Sequence, residues 1–385
     1  MATIINADTS DGLKLTSDTS GEIQFQSAGV VKAKVTANGL QDADGNSITG
    51  GMYRNLIING DMRIDQRNTS QTGNGYSVDR WAIYDNTSAT YTLAQDAEAP
   101  TNFINSLKFT TTGTDTSIGS TEQCVIYHQI EGNNIADLNW GTANAKTVTL
   151  SFWVRSSLTG TFAGSLGNNG YARCYPFTYT ISSADTWEQK TITITGDTTG
   201  TWLTTNGIGI SLRLAIAAGS SFEGTSGAWA SSNLFSVSGA TNVVGTASST
   251  FYITGVQLEV GSGASDFEFL PVDVQLARCQ RYYEILTIST NYRGWVGQGW
   301  STANVAGVLN YKVTKRAAPT VSSSGTFECA NASFGVNLSG SVSFTGATID
   351  QVGADFATSS GLTVGQAAMI HGASGGALVT FSAEL

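Results

Sequence analysis

Thr147-Val148-Thr149-Leu150-Ser151-Phe152-Trp153-Val154 carries an apolar side chain at every second position from Val148 to Val154. Successive side chains of an extended chain point to opposite faces, so this spacing predicts a strand with one buried face. The same reading applies to Thr191-Ile192-Thr193-Ile194 and to Ile208-Gly209-Ile210-Ser211-Leu212-Arg213-Leu214. Thr250-Phe251-Tyr252-Ile253-Thr254-Gly255-Val256-Gln257-Leu258 closes the series. So many strands over residues 54–272 predict a β-sandwich of jelly-roll type, and most of the Trp residues fall within it as core.

Outward from this block the pattern changes twice. On the N-terminal side, Leu13-Lys14-Leu15-Thr16, Ile23-Gln24-Phe25-Gln26 and Val31-Lys32-Ala33-Lys34-Val35 predict short strands separated by turn residues. A meander this thin exposes an apolar face with nothing in its own chain to cover it. Residues 1–53 are therefore read as a fibrous segment that self-associates as a homotrimer; packing onto the next domain is the other reading. Asp42-Ala43-Asp44-Gly45-Asn46-Ser47 lacks the later bidentate Glu of a calcium loop and reads as a solvated linker. On the C-terminal side, Val274, Ala277, Cys279, Tyr282 and Tyr283 follow a helical period, predicting a connector helix over 273–284 capped by Asp273. Residues 285–385 return to β, with strands near 306–313, 319–329, 341–349 and 376–384, and form a smaller distal domain. The expected class is all-β throughout.

Composition agrees. The 385 residues are 41% hydrophobic but only 12% charged, with 44 Gly and 4 Pro, which suits short strands and many turns better than long helices. A net charge of −10 argues against nucleic acid and anionic membrane as partners. No apolar run reaches the roughly 18–20 residues of a membrane helix, and the start has no signal-peptide pattern, so synthesis and assembly in a cytoplasm are expected. Cys124, Cys174, Cys279 and Cys329 lie far apart with no CxxC; four free buried thiols are expected, with a Cys124–Cys174 bridge as the alternative.

Catalytic motifs are missing. His128 reads as an ordinary strand residue and His371 as a turn or surface residue, and no HExxH, GxSxG or Walker-type loop occurs. No cofactor, metal or enzymatic activity is expected. Glycoside hydrolysis, needing only two carboxylates, is the enzymatic alternative. The cluster Asn291-Tyr292-Arg293-Gly294-Trp295-Val296-Gly297-Gln298-Gly299-Trp300 sets aromatics among Gly and Gln. Tyr292, Arg293, Trp295 and Trp300 are candidate receptor-binding residues, as is Trp229. Two readings stand for them: platforms on which sugar rings stack, or a strand whose aromatics are core.

Three stretches resemble tail-fibre proteins of tailed bacteriophages, especially marine ones (cyanophage-like). They are Asn55-Leu56-Ile57-Ile58-Asn59-Gly60-Asp61-Met62-Arg63-Ile64-Asp65-Gln66-Arg67 with Tyr76-Ser77-Val78-Asp79-Arg80-Trp81; Phe251–Gly261 through Phe267-Glu268-Phe269 to Cys279-Gln280-Arg281-Tyr282-Tyr283; and Arg316-Ala317-Ala318-Pro319-Thr320-Val321 with Ser382-Ala383-Glu384-Leu385. The resemblance implies a structural virion protein of the tail that mediates host-cell adhesion. Residues 1–50 would dock on a tail or adaptor protein, and the distal domain would meet a host-surface glycan or other receptor. The large block also resembles a carbohydrate-binding jelly roll. Such modules often hold calcium through acidic residues on the last strand, whereas Tyr252-Ile253-Thr254-Gly255-Val256 offers no carboxylate. A tail-spike glycan depolymerase and a secreted carbohydrate-binding module are the alternatives.

Overall fold

The computed structural model describes residues 22–36, 39–42, 53–290, 293–330 and 337–385. The expected strand at Leu13–Thr16 and most of the expected linker lie outside the described residues. The chain is nearly all β, as its alternation predicts.

Three units follow in order. The first is an antiparallel meander of β1 (Ile23–Ser27), β2 (Val30–Thr36) and β3 (Gly39–Asp42). β3 was not expected: Ala37-Asn38-Gly39 reads as a turn, and the chain resumes pairing directly after it, with Val35 opposite Leu40. Ile23 faces Val35, and Phe25 faces Ala33. Paired residues share a face, so these side chains form one apolar surface. None of the described side chains here is fully buried, and Phe25 and Val30 are 47% and 55% exposed.

The second unit is a sandwich of two antiparallel sheets. It contains β4 (Gly75–Tyr76), β5 (Trp81–Asp85), β6 (Thr90–Asp96), β7 (Ser106–Gly113), β8 (Gln123–Glu131), β9 (Val148–Ser156) and β10 (Gly160–Gly167). β11 (Cys174–Ile181), β12 (Glu188–Ile194), β13 (Ile208–Ala218) and β14 (Thr250–Val260) complete it. One sheet runs β11-β10-β13-β8-β5-β4 and the other β12-β9-β14-β7-β6. The alternating residues Val148, Leu150, Phe152 and Val154 meet Ile210, Leu212 and Leu214 in one core between them. Trp81, Trp140 and Trp202 are buried in that core, while Trp153, Trp187 and Trp229 are only partly covered.

A helix, α1 (Val272–Gln280), leads to the third unit. It is shorter than expected. Pro271 holds the N-cap position, Asp273 sits in the first turn, and Tyr283 already belongs to a strand. The aromatic pair Tyr282-Tyr283 keeps helical spacing by coincidence; pairing with the last strand overrides it.

The third unit is built from β15 (Tyr283–Ile288), β16 (Arg293–Gly299), β17 (Asn304–Asn310), β18 (Thr320–Ala330), β19 (Asn337–Thr345), β20 (Gln351–Ala357) and β21 (Ala367–Ser382). β16 is the strand that one reading of the 291–300 cluster expected; β15, whose first residues were read into the helix, and β20 were not expected. β21 has 16 residues, so it pairs with β18 along one edge and with β15 and then β16 along the other. β16, β17, β20, β19, β18 and β21 thereby close into a six-stranded antiparallel barrel with no free edge within the ring. Its interior holds Trp295, Val305, Phe327, Val352, Phe356, Ile370 and Phe381.

The four cysteines are free and buried. His128 is a buried strand residue, with Nε2 at 3.1 Å from the Ile58 carbonyl oxygen. His371, read as a turn or surface residue, is instead buried within β21. Its neighbours Ala368 and Ile370 face the barrel core, which carries the strand through that position.

Candidate functional site

The stretches on which the tail-fibre resemblance rests converge. They build the joint between sandwich and barrel. Asn59 adopts a left-handed backbone (φ 60°), which Asn tolerates better than most residues. Its side-chain oxygen accepts the Ile64 N–H at 2.9 Å, and its amide donates to the carbonyls of Ile64 and Asp79 at 2.8 and 3.0 Å. A Cβ on Gly60 would run into the Val256 carbonyl. This folded loop aims Gln66 and Arg67 outward: Gln66 donates to the Tyr283 carbonyl at 2.7 Å, and the Arg67 guanidinium lies 3.6 Å from the Tyr283 ring centre.

Around it, Arg80 is buried over the Tyr282 ring at 3.7 Å and pairs with Glu384, which Arg67 also holds at 2.9 Å. Burial, the largest single influence, would lower the Arg80 pKa, but Glu384 together with Tyr282, Tyr76 and Cys279 raises it. Glu131 receives Arg281 at 2.7 and 2.9 Å and the Tyr282 hydroxyl at 2.7 Å. Burial pushes the Glu131 carboxyl up, yet these hydrogen bonds hold it below the usual range. Arg316 donates to the carbonyls of Ala383 and Glu384, both at 2.8 Å, and the Tyr76 hydroxyl donates to the Leu385 carbonyl at 3.0 Å.

The sandwich offers little open surface on its six-stranded face. Residues 219–249 fold back over it, burying Phe235 against Val125, Ala163 and Ala215. Arg213, on β13, fastens this cover by donating to Asn233 at 2.6 Å and to the Leu234 carbonyl at 3.0 Å. Trp229 is a packing corner. Its indole N–H donates to the Thr195 carbonyl at 2.8 Å, and its ring stands edge-on to Trp140, Trp202 and Tyr175.

The aromatic cluster of the barrel divides. Tyr292 lies outside the described residues, and Arg293 opens β16 in register with His371. Trp295 is 6% exposed, packs on Phe327 and donates to the Ala354 carbonyl at 3.2 Å, so it is core and not a binding platform. The cause is strand alternation, which turns Trp295 inward and its neighbours Val296 and Gln298 outward. Trp300 is different: it is 71% exposed. Its backbone is nevertheless fixed, since its N–H donates to the Asn304 carbonyl at 3.1 Å, closing the β16–β17 hairpin. The preceding Gly299 exchanges bonds with Gln366 and Gly365 of the adjoining loop at 2.9 and 2.7 Å.

Beside Trp300 the outer face is apolar. Val296, Val308 and Val364 are all exposed, and Val296 is in register with Met369. Residues 294–310 and 356–382 contain no Asp, Glu, Lys or Arg. The sequence signal for this face was present as the missing charge, and the odd spacing of Trp295 and Trp300 puts them on opposite faces; which of those faces is core was not legible.

A cleft that sequence reasoning missed lies beside α1, where sandwich, helix and barrel meet. It is an open groove of about 690 Å³. Its residues come from four separate stretches, so no local motif marks it.

The chain matches no known protein family and no curated protein. Solved structures similar to it include the enzymatically active domain of tailspike protein 4 from bacteriophage CBA120. The identity is 12%, covering 55% of this chain and 22% of that one, with a TM-score of 0.31. A family 11 carbohydrate-binding module from Clostridium thermocellum, in complex with a β-1,3-1,4-mixed-linked tetrasaccharide, is 12% identical over 49% of this chain and 91% of its own (TM-score 0.27). TmCBM61 in complex with β-1,4-galactotriose is 10% identical over 54% and 99% (TM-score 0.28). This chain thus spans about a fifth of the tailspike domain's length. None of these similarities bears on ligand or activity.

Proposed function

We propose that this protein is a structural attachment protein of a phage tail, a homotrimeric fibre that holds a host-surface glycan without cleaving it. The observation that carries the reading is Trp300: a large indole, exposed to solvent, on a backbone pinned on both sides. An aromatic ring held ready in this way loses little conformational entropy when a flat partner stacks on it. Gln298 beside it supplies an exposed amide for hydroxyl groups, and the uncharged face around it is free of long-range repulsion toward an anionic envelope. The apolar face of the meander, with Phe25 exposed, supports pooling of three copies, and several weak sites then act together. Docking of residues 1–50 on a tail or adaptor protein completes the arrangement.

The depolymerase alternative needs two carboxylates facing one sugar. Asp79, Glu131, Asp197 and Glu284 are buried and engaged with Arg67, Arg281, Arg173 and Lys315, which supports binding without hydrolysis. The test is adsorption of the purified full chain to host-envelope polysaccharide, with reducing-sugar release followed in parallel. Trp300→Ala should lower retention at least about tenfold, the share of one good stacking contact, and no reducing ends should appear. Unchanged retention, or steady release of reducing ends, overturns the reading.

A further inference from the structure

The groove beside α1 is an open concave surface, and its lining is unusual for a chain of net charge −10. Leu56 from the sandwich, Val274 from the helix and Val313 from the barrel give it apolar walls. Tyr53, 47% exposed, stands at one side, and two guanidiniums, Arg278 and Arg281, line the rest. Among the described residues no Asp or Glu lines it.

The two arginines are not equivalent. Arg281 is neutralised by Glu131 through Nε and Nη2. Arg278 forms no ion pair among the described residues. Its one hydrogen bond there is a long one, from Nη2 to the Asn55 carbonyl at 3.3 Å, and the Tyr53 ring lies 5.8 Å away. Burial pushes the Arg278 pKa down, the mark of a cation that its surroundings do not fully compensate. A partly buried cation with no direct ion pair, on which Glu268 acts only from a distance, is incompletely compensated in the folded chain, and an arriving anion relieves it.

We propose that this groove binds an acidic sugar, with the anionic group on Arg278 and the ring against Tyr53 and the apolar wall. Charge complementarity selects the anion, and the mixture of apolar wall, aromatic ring and few polar groups is that of a small-ligand site. The volume of about 690 Å³ falls in the usual range of roughly 300–1,000 Å³ for such sites. A carboxylated sugar and a sulfated one offer the same chemistry here. The site is separate from the Trp300 face and does not depend on it.

Calorimetric titration of the full chain decides the matter with three probes: a short polyuronate oligosaccharide, a sulfated oligosaccharide and a neutral β-glucan oligosaccharide. Binding of at least one acidic probe is expected, the stronger of the two naming the anion, with no heat from the neutral one once Trp300→Ala has removed the barrel-face platform. Arg278→Ala should weaken acidic binding about tenfold or more, and Arg278→Lys should weaken it less. Trp300→Ala should leave it unchanged. Thermal melting of each variant checks that the fold survives; should Arg278→Ala fail to fold, Tyr53→Ala, at the rim, takes its place and should weaken binding several-fold. Absence of binding by both acidic probes, equal binding of the neutral one to the Trp300→Ala protein, or full affinity in the substituted protein overturns the proposal.

Discussion

Glu384 and Arg80, 304 residues apart in sequence, form a buried ion pair that fastens the end of the barrel to the sandwich. Among the described residues neither forms an ion pair within its own unit, though Arg80 also donates to the Gln129 carbonyl. Arg67 joins the same carboxylate, and Tyr282 covers the Arg80 guanidinium. The pair explains why widely separated stretches of sequence bear features with no catalytic meaning: each contributes one side of a joint. Removing one partner of such a pair leaves the other charge buried and uncompensated.

Glu384→Gln should therefore destabilise the protein by about 3–5 kcal/mol and loosen the joint. Scanning calorimetry is expected to resolve separate sandwich and barrel transitions in the variant. Melting indistinguishable from that of the unaltered chain would show that the joint rests on other contacts.

Trp295 and Trp300, five residues apart, should behave oppositely in unfolding. Trp295→Ala removes a barrel-core aromatic and should cost about 3–5 kcal/mol. Trp300→Ala removes an exposed ring and should stay within about 0.5 kcal/mol of the parent. Denaturant titration of both checks this; equal losses would place Trp300 in a buried contact.

Asp79 gives the joint a pH dependence. Burial pushes its carboxyl up to about 6, against 3.8 when free, with Arg67 and Gln66 partly opposing. The folded state thus prefers the protonated form. Its contribution is present in full below pH 3.8 and is lost as pH rises through about 6, up to roughly 3 kcal/mol. Asp79→Asn should gain stability relative to the parent between pH 4 and 7. A difference that does not change over that window would mean that Arg67 holds the carboxylate ionised throughout.

Phe25 tests the assembly. Sedimentation of the full chain should give about three times 40.2 kDa. Phe25→Ser, which leaves the sandwich and barrel untouched, should shift the distribution toward monomer. A monomeric parent at micromolar concentration would remove the fibre reading.

Strand alternation such as Val148-Leu150-Phe152-Val154 determined the all-β class, the sandwich and the approximate place of the helix, because period and burial are local consequences of backbone geometry. The low charge around Trp300 was legible for the same reason. What only the tertiary structure decided was non-local. β21 is long enough to serve two strands on one edge and so closes a barrel that no single segment predicts. Trp295 and Trp300, an odd number of residues apart, fall on opposite faces by alternation, but only closure of the barrel decides which face is core. The groove beside α1 and the Arg80–Glu384 pair join residues that sequence spacing cannot relate, since their proximity is fixed by how the units pack and not by either stretch alone.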